Sequence, residues 1–542
     1  MSKSPVIVIG IDGAEPRLME KWIREGYLPS IGEIINEGTG LCHLASTANA
    51  MSPSAWTTFR TGLNPGRHGI FYFLDKVPGK YKICYSLDKI SSLKSFWKYA
   101  GEYGKKIAVL HFPLGYPAEG INGIEVSGWL SPSMQSDGFT YPPSLAQNII
   151  DQVPEFKIHW PFKELLNIGR YEEALELKLK SIKAKSKLHR LLLNNGNWDL
   201  VIVVFEEVDQ LQHFFWHFMD KNHPKYKKST KSKLKEAILS AYIAIDKAIG
   251  DLKRLFGKDS RYIFLSDHGF KANTYGPVYV SDLLKKAGYQ SEKKSVISKI
   301  SKYSYGAAEF LPTKIKHLLS HTLPWVRKGM LESRCFAKIQ WDKTAAYTIY
   351  LNRTSEIWLN LKERDEKGIV PLNNYMSLCE ELIDFLLNCR EKSSSRHPIR
   401  AVLRKEDVYA GDLINIAPDL TLKWAHDVFV NGIKFFKKNK EIIANNPVEN
   451  DIRTGEHSDY GIFADNALEK SLNYINIIDV PPHILHAMGI EIPDWMEGNP
   501  YNIQEQKIAR VKNDYVKSNF KFGYSAEEEK QIEEKLKDVG YL

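Results

Sequence analysis

Three aspartates stand where predicted strands end. Asp12 follows the apolar run "VIVIGI", Asp209 comes four residues after "DLVIVVF", and Asp267 closes "YIFLS". The carboxyl ends of parallel strands form the edge of an open α/β sheet at which ligands bind. Each aspartate taken alone is better explained as a turn residue, because Asp favours turns. Three carboxylates at one edge repel one another unless a cation lies among them, so together they predict a metal site.

Three histidines accompany these carboxylates. His268 directly follows Asp267, and His213 lies four residues after Asp209, a spacing that puts two side chains on one face of a helix. His457 lies in the polar segment "RTGEHSDYGIF". Oxygen and imidazole ligands in this combination suit zinc or another divalent ion. Taken singly, the Asp209 and His213 pair also fits a solvated helix face, and His457 an ordinary loop.

A serine stands at a predicted helix start. In "MSPSAWTTFRTG", Ser52 is predicted at the N-cap and Pro53 at the first helical position, with the helix stopping at Gly62. An ordinary cap is the simplest interpretation. A helix N-terminus also offers amide groups and positive potential to a phosphoryl group. A metal ion can activate a serine hydroxyl by coordination, which makes Ser52 a candidate nucleophile.

The elements that must position these residues are predicted as alternating strands and helices. Short β-branched apolar runs at 5–11, 106–112, 199–205 and 262–267 are typical of buried parallel strands. Amphipathic stretches such as 233–256 separate them. The alternation predicts an α/β fold with a doubly wound, mostly parallel sheet between helices. Helical cap or lid insertions are expected at about 135–195 and 285–400 within residues 1–500, followed by a charged helical tail over 501–542.

The bulk composition narrows the class of protein. The chain has 542 residues, of which 43% are hydrophobic and 26% charged, as expected of a globular protein with a large core. The formal charge of +9 fits an anionic substrate or a membrane surface but is too diffuse to indicate nucleic acid. Five scattered cysteines without a CxxC pair predict a reducing compartment. With neither a signal-peptide pattern nor an apolar run of roughly 18 residues, a soluble, cytoplasmic protein is predicted.

Five motifs, in order along the chain, resemble those of a known superfamily. They are "IGIDG", "MSPSAWTTFRTGLNPGRHGI", "EEVDQLQH", "SDHG" and "GEHSDYG". They are similar to motifs of the alkaline phosphatase superfamily, and most similar to its type I phosphodiesterase and nucleotide pyrophosphatase branch. The resemblance runs from about residue 5 to 490 and implies an alkaline phosphatase-like catalytic domain within residues 1–500.

The resemblance also implies a two-metal site. Two divalent ions, expected to be zinc with manganese as the alternative, would be bridged by the substrate phosphate. Ser52 would be the catalytic nucleophile and would form a phosphoseryl intermediate. The implied metal ligands form two sets: Asp209, His213 and His457 for one ion, and Asp12, Asp267, His268 and Ser52 for the other.

Two departures from the family pattern bear on activity. Many nucleotide pyrophosphatases carry Asn three residues after the nucleophile, where this chain has Ala55. The arginine that clamps monoesters in alkaline phosphatases has no recognisable counterpart, and Arg60 and Arg67 are the candidates for a replacement, with surface positions as the alternative. The segment "SPSAW" does not fit the sulfatase motif. The basic sugar-phosphate clamp of phosphoglycerate mutases is not recognisable either.

Several nearby residues are given supporting roles. His68 is expected to support the loop that contains it and not to bind metal. Glu206 and Glu207 either contact the ligand histidines or lie in a solvated turn. The basic stretch 293–329 forms either a lid over the site or a contact with an anionic membrane, and a membrane contact would favour a lipid substrate.

The sequence therefore predicts a metal-dependent hydrolase of phosphodiester or pyrophosphate bonds. Its substrate would be a small-molecule phosphodiester, a nucleotide or a lipid-linked compound. A phosphotransferase with an alcohol acceptor and a phosphomonoesterase stay open as alternatives that use the same site. A non-enzymatic binder is a further alternative, but a scaffold has no need for seven polar side chains at one sheet edge.

Overall fold

The computed structural model describes most of the chain. The described residues are 4–194, 196–293, 331–333, 335–349, 355–445, 452–469, 474–501, 508–512, 515 and 525–538. The basic stretch predicted at 293–329 lies outside them except for Lys293, and the tail 501–542 is described only in part.

Nine of the described strands form one central sheet. The strands, numbered in chain order, are β1 (Val6–Ile11), β2 (Cys42–Ala45), β3 (Leu74–Lys76), β4 (Ile83–Tyr85), β5 (Ile107–Phe112), β6 (Gly123–Ser127), β7 (Thr140–Tyr141), β8 (Leu200–Phe205), β9 (Arg261–Leu265), β10 (Gly269–Ala272), β11 (Ala346–Tyr347), β12 (Glu356–Leu359), β13 (Arg390–Glu391), β14 (Ile399–Arg404), β15 (Leu420–Trp424), β16 (Ile433–Lys437), β17 (Lys440–Ala444), β18 (Gly455–Ser458), β19 (Tyr460–Asp465), β20 (Tyr474–Asn476), β21 (Ile492–Pro493) and β22 (Arg510–Val511). The order across the central sheet is β20-β2-β19-β9-β1-β8-β5-β6-β7. Its strands are mostly parallel, but β19 runs antiparallel to β2 and β9, and β7 antiparallel to β6.

The middle of this sheet consists of the runs that the sequence predicted as buried strands. Strand β1 pairs in parallel with β8 and β9, and places Ile11 opposite Phe205 and Gly10 opposite Leu265. All residues of β1, β5 and β8 are buried, as expected of strands covered on both faces. The register brings the carboxyl ends of β1, β8 and β9 level, so the segments that follow them start at one edge of the sheet.

Helices pack against both faces of the central sheet and, in part, against a smaller antiparallel sheet. They are α1 (Pro16–Arg24), α2 (Pro29–Asn36), α3 (Ser52–Thr61), α4 (Pro65–His68), α5 (Leu87–Ile90), α6 (Phe96–Glu102), α7 (Leu145–Gln152), α8 (Phe162–Asn167), α9 (Tyr171–Leu193), α10 (Glu207–Met219), α11 (Ser232–Lys235), α12 (Ala237–Phe256), α13 (Val280–Ala287), α14 (Tyr375–Asn388), α15 (Lys405–Val408), α16 (Val480–Ala487) and α17 (Ala526–Asp538). Val6 and Val8 of β1 enter one core with α3, whereas Ile7 and Ile9 enter the opposite core with α12. This arrangement confirms the predicted α/β fold. Among the described helices, none has the length and apolar character that crossing a membrane requires.

The two predicted insertions differ in structure. Residues 135–195 contain α7, α8 and the long helix α9, in keeping with the helical prediction. The described part of 285–400 contains α14 but also contributes β11, β12 and β14 to an antiparallel sheet of order β11-β12-β15-β14. Strand β12 is fully buried, and Ile357 and Leu359 belong to a core of this unit's own. The sequence had not predicted these strands.

Candidate metal centre and active site

The segments that follow the central strands bring the predicted site residues together. Asp12 follows β1, Asp267 and His268 follow β9, and helix α10, which follows β8, carries Asp209 and His213. Ser52 is the first residue of α3, and His457 lies on β18, which pairs with β10. All seven side chains are buried, with at most 7% of any of these residues exposed. Side chains that are distant in sequence therefore share one buried site.

One group of side chains is formed by Asp209, His213 and His457. The Nε2 atoms of the two histidines lie 3.1 Å apart. Oδ1 of Asp209 lies 3.2 Å from Nε2 of His457 and 3.5 Å from Nε2 of His213. The predicted helical spacing of Asp209 and His213 is confirmed, because both lie on α10.

The second group consists of Asp12, Asp267, His268 and Ser52. Nε2 of His268 lies 3.7 Å from Oδ1 of Asp12 and 3.2 Å from Oδ2 of Asp267. The same nitrogen is 3.1 Å from Oγ of Ser52. The two groups adjoin, since the rings of His268 and His457 stack with their centroids 3.6 Å apart. Candidate ligand atoms of Asp209, His268 and His457 also lie within 4.8 Å of one another.

The backbone fixes which nitrogen of each histidine faces the site. Nδ1 of His457 donates to the carbonyl of Ala50 at 2.9 Å, and Nδ1 of His213 donates to that of Gly455 at 3.1 Å. Nδ1 of His268 donates to the carbonyl of Gly269 at 3.1 Å. A carbonyl only accepts, so the proton of each neutral ring is on Nδ1 and the lone pair of Nε2 points into the site. Ligand histidines are oriented in this way in metal centres.

Three carboxylate oxygens further indicate that this site binds a cation. Oδ1 of Asp12, Oδ1 of Asp209 and Oδ2 of Asp267 are buried and accept no hydrogen bond from any described residue. A buried acceptor without a partner is costly, and a buried carboxylate oxygen more so. These oxygens face the histidine Nε2 atoms, so the donor set fits divalent metal ions.

The pKa values of the site residues are shifted by burial and by the charges of their neighbours. Burial, followed by the charge of Asp209, raises the pKa of Asp267 to about 7. Burial and the charges of Asp267 and Asp209 hold the pKa of Asp12 well above its ordinary value. Burial, with the neighbouring His457, holds the pKa of His268 well below its ordinary value. Without a cation, Asp12, Asp267 and His268 therefore favour their neutral forms. Asp209 and His457 favour their charged forms, because against burial His213 and His457 lower the pKa of Asp209, and Asp209 raises the pKa of His457.

Hydrogen bonds from neighbouring residues hold the second group in place. The indole Nε1 of Trp56 donates to Oδ2 of Asp12 at 2.9 Å, and the amide of Gly13 donates to Oδ1 of Asp267 at 3.2 Å. Gly13 has a φ of +70°, and a Cβ there would lie 3.2 Å from the Cα of Asp209. This close approach favours glycine directly after Asp12.

The helix that bears Ser52 differs slightly from its prediction. Helix α3 begins at Ser52 itself, with Met51 in the N-cap position, one residue earlier than the sequence indicated. Proline lacks an amide proton, and the amides of the first and second helical positions make no hydrogen bond within the helix. Pro53 therefore fits either position. The predicted end is confirmed, since Gly62 caps the helix in the left-handed conformation with φ 69°.

Comparison with known proteins identifies the family. The sequence model of the type I phosphodiesterase/nucleotide pyrophosphatase family matches residues 6–432. The chain belongs to this family. The family consists of phosphoric ester hydrolases, so the chain is an enzyme of this class, and its resemblance to the alkaline phosphatase superfamily is confirmed. None of the curated proteins matches the chain in sequence at a significant level.

Solved structures similar to the chain agree with this fold. The phosphonoacetate hydrolase of Sinorhizobium meliloti 1021 has a TM-score of 0.51 in its complex with phosphonoacetate and 0.50 with phosphonoformate. In both comparisons the identity is 15%, and 90% of this chain and 96% of that chain are covered. Human ectonucleotide pyrophosphatase/phosphodiesterase 5 is similar with a TM-score of 0.44 and 14% identity, covering 92% of this chain and 97% of that chain.

Two supporting roles predicted for this phosphodiesterase family member need correction. Arg60 does not face the metal centre: it is 1% exposed and pairs with Glu119 in the core. Glu206 and Glu207 pair with Lys185, Glu207 at 3.0 Å, and contact none of the ligand histidines among the described residues. A buried carboxylate is stabilised by a nearby opposite charge. The spacing of residues in the sequence did not identify Lys185 as that partner.

Other assignments agree with the structure or stay open. Nε2 of His68 lies 3.1 Å from Oγ1 of Thr58, and its Nδ1 accepts from the amide of Ile70 at 3.1 Å, so His68 supports its loop as predicted. Arg67 is half-exposed and lies 3.4 Å from Glu497. Ala55 is fully buried in the core on the α3 side of the sheet.

Sequence reasoning missed two residues at the centre. Glu456 lies with His213 and His457 in a group of possible metal ligands. Its position next to His457 in "GEHSDYG" could have identified it as a candidate ligand. Trp56 lies one helical turn after Ser52, so its side chain was predictable on the same face of α3. Its hydrogen bond to Asp12 was not predictable, because that contact joins segments 44 residues apart.

Proposed function

We propose that this enzyme hydrolyses phosphodiester or pyrophosphate bonds, with Ser52 as nucleophile beside two divalent metal ions. One observation carries the proposal: three buried carboxylate oxygens that accept no hydrogen bond from any described residue share one site with a serine hydroxyl and three histidine Nε2 atoms. Such an arrangement suits in-line displacement at phosphorus, in which stabilising negative charge is the main task.

The proposed metal ligands follow the two groups of side chains. Zinc is the first candidate because the donor set combines imidazole nitrogen with carboxylate oxygen, and manganese is the alternative. Bound ions would stabilise charge on the phosphoryl oxygens and lower the pKa of a coordinated hydroxyl. The ligands are Asp209, His213 and His457 in the first group, and Asp12, Asp267, His268 and Ser52 in the second.

Ser52 is placed to act as the nucleophile. Its Oγ lies 3.1 Å from Nε2 of His268, close enough for both atoms to be ligands of one ion. Its position at the first turn of α3 puts a bound phosphoryl group at a helix N-terminus, where amide groups and the helix dipole favour an anion. Attack by Oγ forms a bond to phosphorus and breaks the bond to the leaving oxygen, which takes up the serine proton through solvent. With a diester, the phosphoseryl intermediate keeps the second substituent on phosphorus. Water then hydrolyses the phosphoseryl intermediate.

A comparison of substrates and variants tests this proposal. Metal-free protein, with zinc or manganese added back, should hydrolyse bis-p-nitrophenyl phosphate faster than p-nitrophenyl phosphate. Ser52→Ala should abolish the reaction. Ser54→Ala is the matched control, because its hydroxyl lies on the same helix and has no hydrogen-bond partner among the described residues.

The outcomes distinguish the alternatives. Full activity in Ser52→Ala would reject the serine mechanism, and preference for the monoester would favour a phosphomonoesterase. Product formation that depends on an added alcohol would favour a phosphotransferase. With bis-p-nitrophenyl phosphate as substrate, mass spectrometry of acid-quenched protein should detect the Ser52 peptide carrying a p-nitrophenyl phosphoryl group in the wild type only.

We also propose a cytoplasmic setting and a small-molecule substrate. The five cysteines are not joined in disulfides in the described structure, as expected in a reducing compartment. The family description supports phosphodiester and nucleotide substrates. A lipid-linked substrate and a peripheral membrane contact rest on the basic stretch 293–329 alone.

A further inference from the structure

A cavity beside the first group of ligands carries an excess of positive charge. It is lined by His457 and by Ala48–Met51, the loop that leads into Ser52. Four cationic side chains line it, Lys271, Arg400, Lys423 and Arg453, against three carboxylates, Glu356, Glu456 and Asp459. A substrate that reacts at Ser52 would have space for part of its structure here.

Three of the four cations already have acidic partners. Arg400 and Lys423 both pair with Asp459. Arg453 lies 3.9 Å from Glu456. These pairs neutralise much of the charge along one wall of the cavity.

Lys271 differs from these three. Its ammonium group makes no hydrogen bond or close ion pair with any residue in the part of the chain that the structure describes, although the residue is only partly exposed. It lies on β10 opposite Glu456 of β18, next to the pair formed by Phe270 and His457. Burial lowers the pKa of Lys271 to about 8, with Asp459 and Glu456 opposing the shift, so the amine still carries its charge at neutral pH. An ammonium group that is partly desolvated and has no partner is ready to bind an anion.

The direction of the proposed reaction places the leaving group near this lysine. Oγ of Ser52 lies beside His268, in the second group of ligands. In-line displacement puts the leaving oxygen opposite the nucleophile. If the first group of ligands, to which His457 belongs, stabilises that oxygen, the departing part of the substrate would enter the cavity that His457 and Lys271 line.

We propose that Lys271 binds a second anionic group, a phosphate or a carboxylate, on the part of the substrate that leaves. This inference rests on the proposed function and narrows its substrate class. The preferred substrates are pyrophosphate-type compounds or phosphoric esters with an acidic leaving group. Diesters with two neutral substituents would leave Lys271 without a partner.

Equilibrium binding tests this proposal without requiring hydrolysis. Metal-loaded protein would be titrated calorimetrically with methylphosphonate, phosphonoacetate and methylenediphosphonate. The first ligand has one anionic group, and the other two add a carboxylate or a phosphonate at the same spacing. We expect the wild type to prefer at least one of the two larger ligands by about tenfold, the strength of a single charge-assisted hydrogen bond.

Three variants make the test specific. Lys271→Met should remove the preference, whereas Lys271→Arg should retain most of it. Lys440→Met, at an exposed position on β17, is the matched control and should behave as the wild type. The ligand that loses its advantage in Lys271→Met identifies the second group as carboxylate or phosphate.

Two results would overturn the assignment of Lys271. One is a wild type that prefers neither larger ligand, and the other is a preference that survives in Lys271→Met. Hydrolysis of bis-p-nitrophenyl phosphate by the wild type is measured in parallel. Its absence would count against the proposed function, while the binding preference would still report on Lys271.

Discussion

Trp56 ties the helix that carries Ser52 to the first strand of the sheet by donating its indole N–H to Asp12 at 2.9 Å. The hydrogen bond occupies Oδ2 of Asp12 and leaves Oδ1 for a metal ion. Trp56→Phe would remove the donor while keeping a buried aromatic ring. We predict a loss of about 10–100-fold in affinity for one of the two metal ions, as is typical when a ligand loses its supporting partner.

Trp97→Phe is the control for this prediction. Trp97 is fully buried in the same core, and its indole N–H has no hydrogen-bond partner among the described residues. Both variants should lose similar stability, but only Trp56→Phe should lose metal affinity in a competition titration with a chromophoric chelator. Equal metal affinity in the two variants would show that the hydrogen bond to Asp12 is unimportant.

Metal binding should strengthen as pH rises from about 6 to 8. Burial and the charge of Asp209 raise the pKa of Asp267 to about 7, so below that pH a metal ion must displace a proton. One displaced proton changes the apparent affinity by about tenfold per pH unit below about pH 7, and the affinity should level off above it. Calorimetry in buffers of different ionisation enthalpy would measure the protons released. An affinity that is constant or falls over this range would contradict the prediction.

The same shift has a consequence for the metal-free protein. The folded form holds the proton on Asp267 more tightly than the unfolded chain, so this contribution to stability is present at low pH and is lost as pH rises through about 7. The difference in unfolding free energy between metal-loaded and chelator-treated protein should therefore grow between pH 6 and 8. Thermal or urea unfolding at matched pH values would measure it.

Asp209 and Glu456 should differ in their importance for metal binding. Oδ1 of Asp209 accepts no hydrogen bond from any described residue, whereas Oε1 of Glu456 accepts from the amide of His457 at 3.0 Å and Oε2 faces Arg453. We predict that Asp209→Asn loses one metal ion per protein and that Glu456→Gln retains both. Elemental analysis after dialysis would give the stoichiometry. Loss of an ion from Glu456→Gln would make Glu456 a ligand.

Lys185 should be essential for stability although it lies outside the metal centre. It is buried between Glu206 and Glu207, at the start of the helix that carries Asp209. Lys185→Met would leave both carboxylates without their cation, and we predict a loss of about 3–5 kcal/mol in the free energy of unfolding. Urea denaturation would measure this loss.

Lys187→Met provides the comparison. Lys187 is half-exposed and pairs with Glu155 on the surface, so its removal should cost less than about 1 kcal/mol. A comparable loss in both variants would mean that the buried network at the start of α10 contributes no more than a surface ion pair.

Local sequence pattern predicted the frame of the site. The continuous apolar runs around Ile9 and Val203 predicted buried strands, and the four-residue spacing of Asp209 and His213 predicted a shared helix face. Because parallel strands end at one edge, the approach of Asp12 to Asp267 also followed from pattern. These features depend on short-range periodicity, which a single sequence contains.

Contacts between distant segments were not predictable in the same way. The pairing of Arg60 with Glu119 and of Glu207 with Lys185 depends on which elements become neighbours in the folded chain. From its charge alone, Arg60 could have paired with any of several anionic groups, including a substrate phosphate. The strands of 285–400 were missed because short apolar runs such as "EIWL" fit a strand or a buried helix equally well.

The pairing of β2 with β19 and β20 constrains when the central sheet can be completed during synthesis. Strand β2, at residues 42–45, pairs with β19 and β20 and with no other described strand, although more than 400 residues separate it from them. During synthesis, β2 therefore emerges long before its neighbours, and its backbone stays unpaired until the segment after His457 leaves the ribosome. Contacts of such long range slow folding and prolong the exposure of strand edges. A nascent chain truncated before residue 455 would have an incomplete sheet and would lack His457, a proposed metal ligand. If the proposed ligands are correct, such a chain should bind fewer metal ions than the full-length protein.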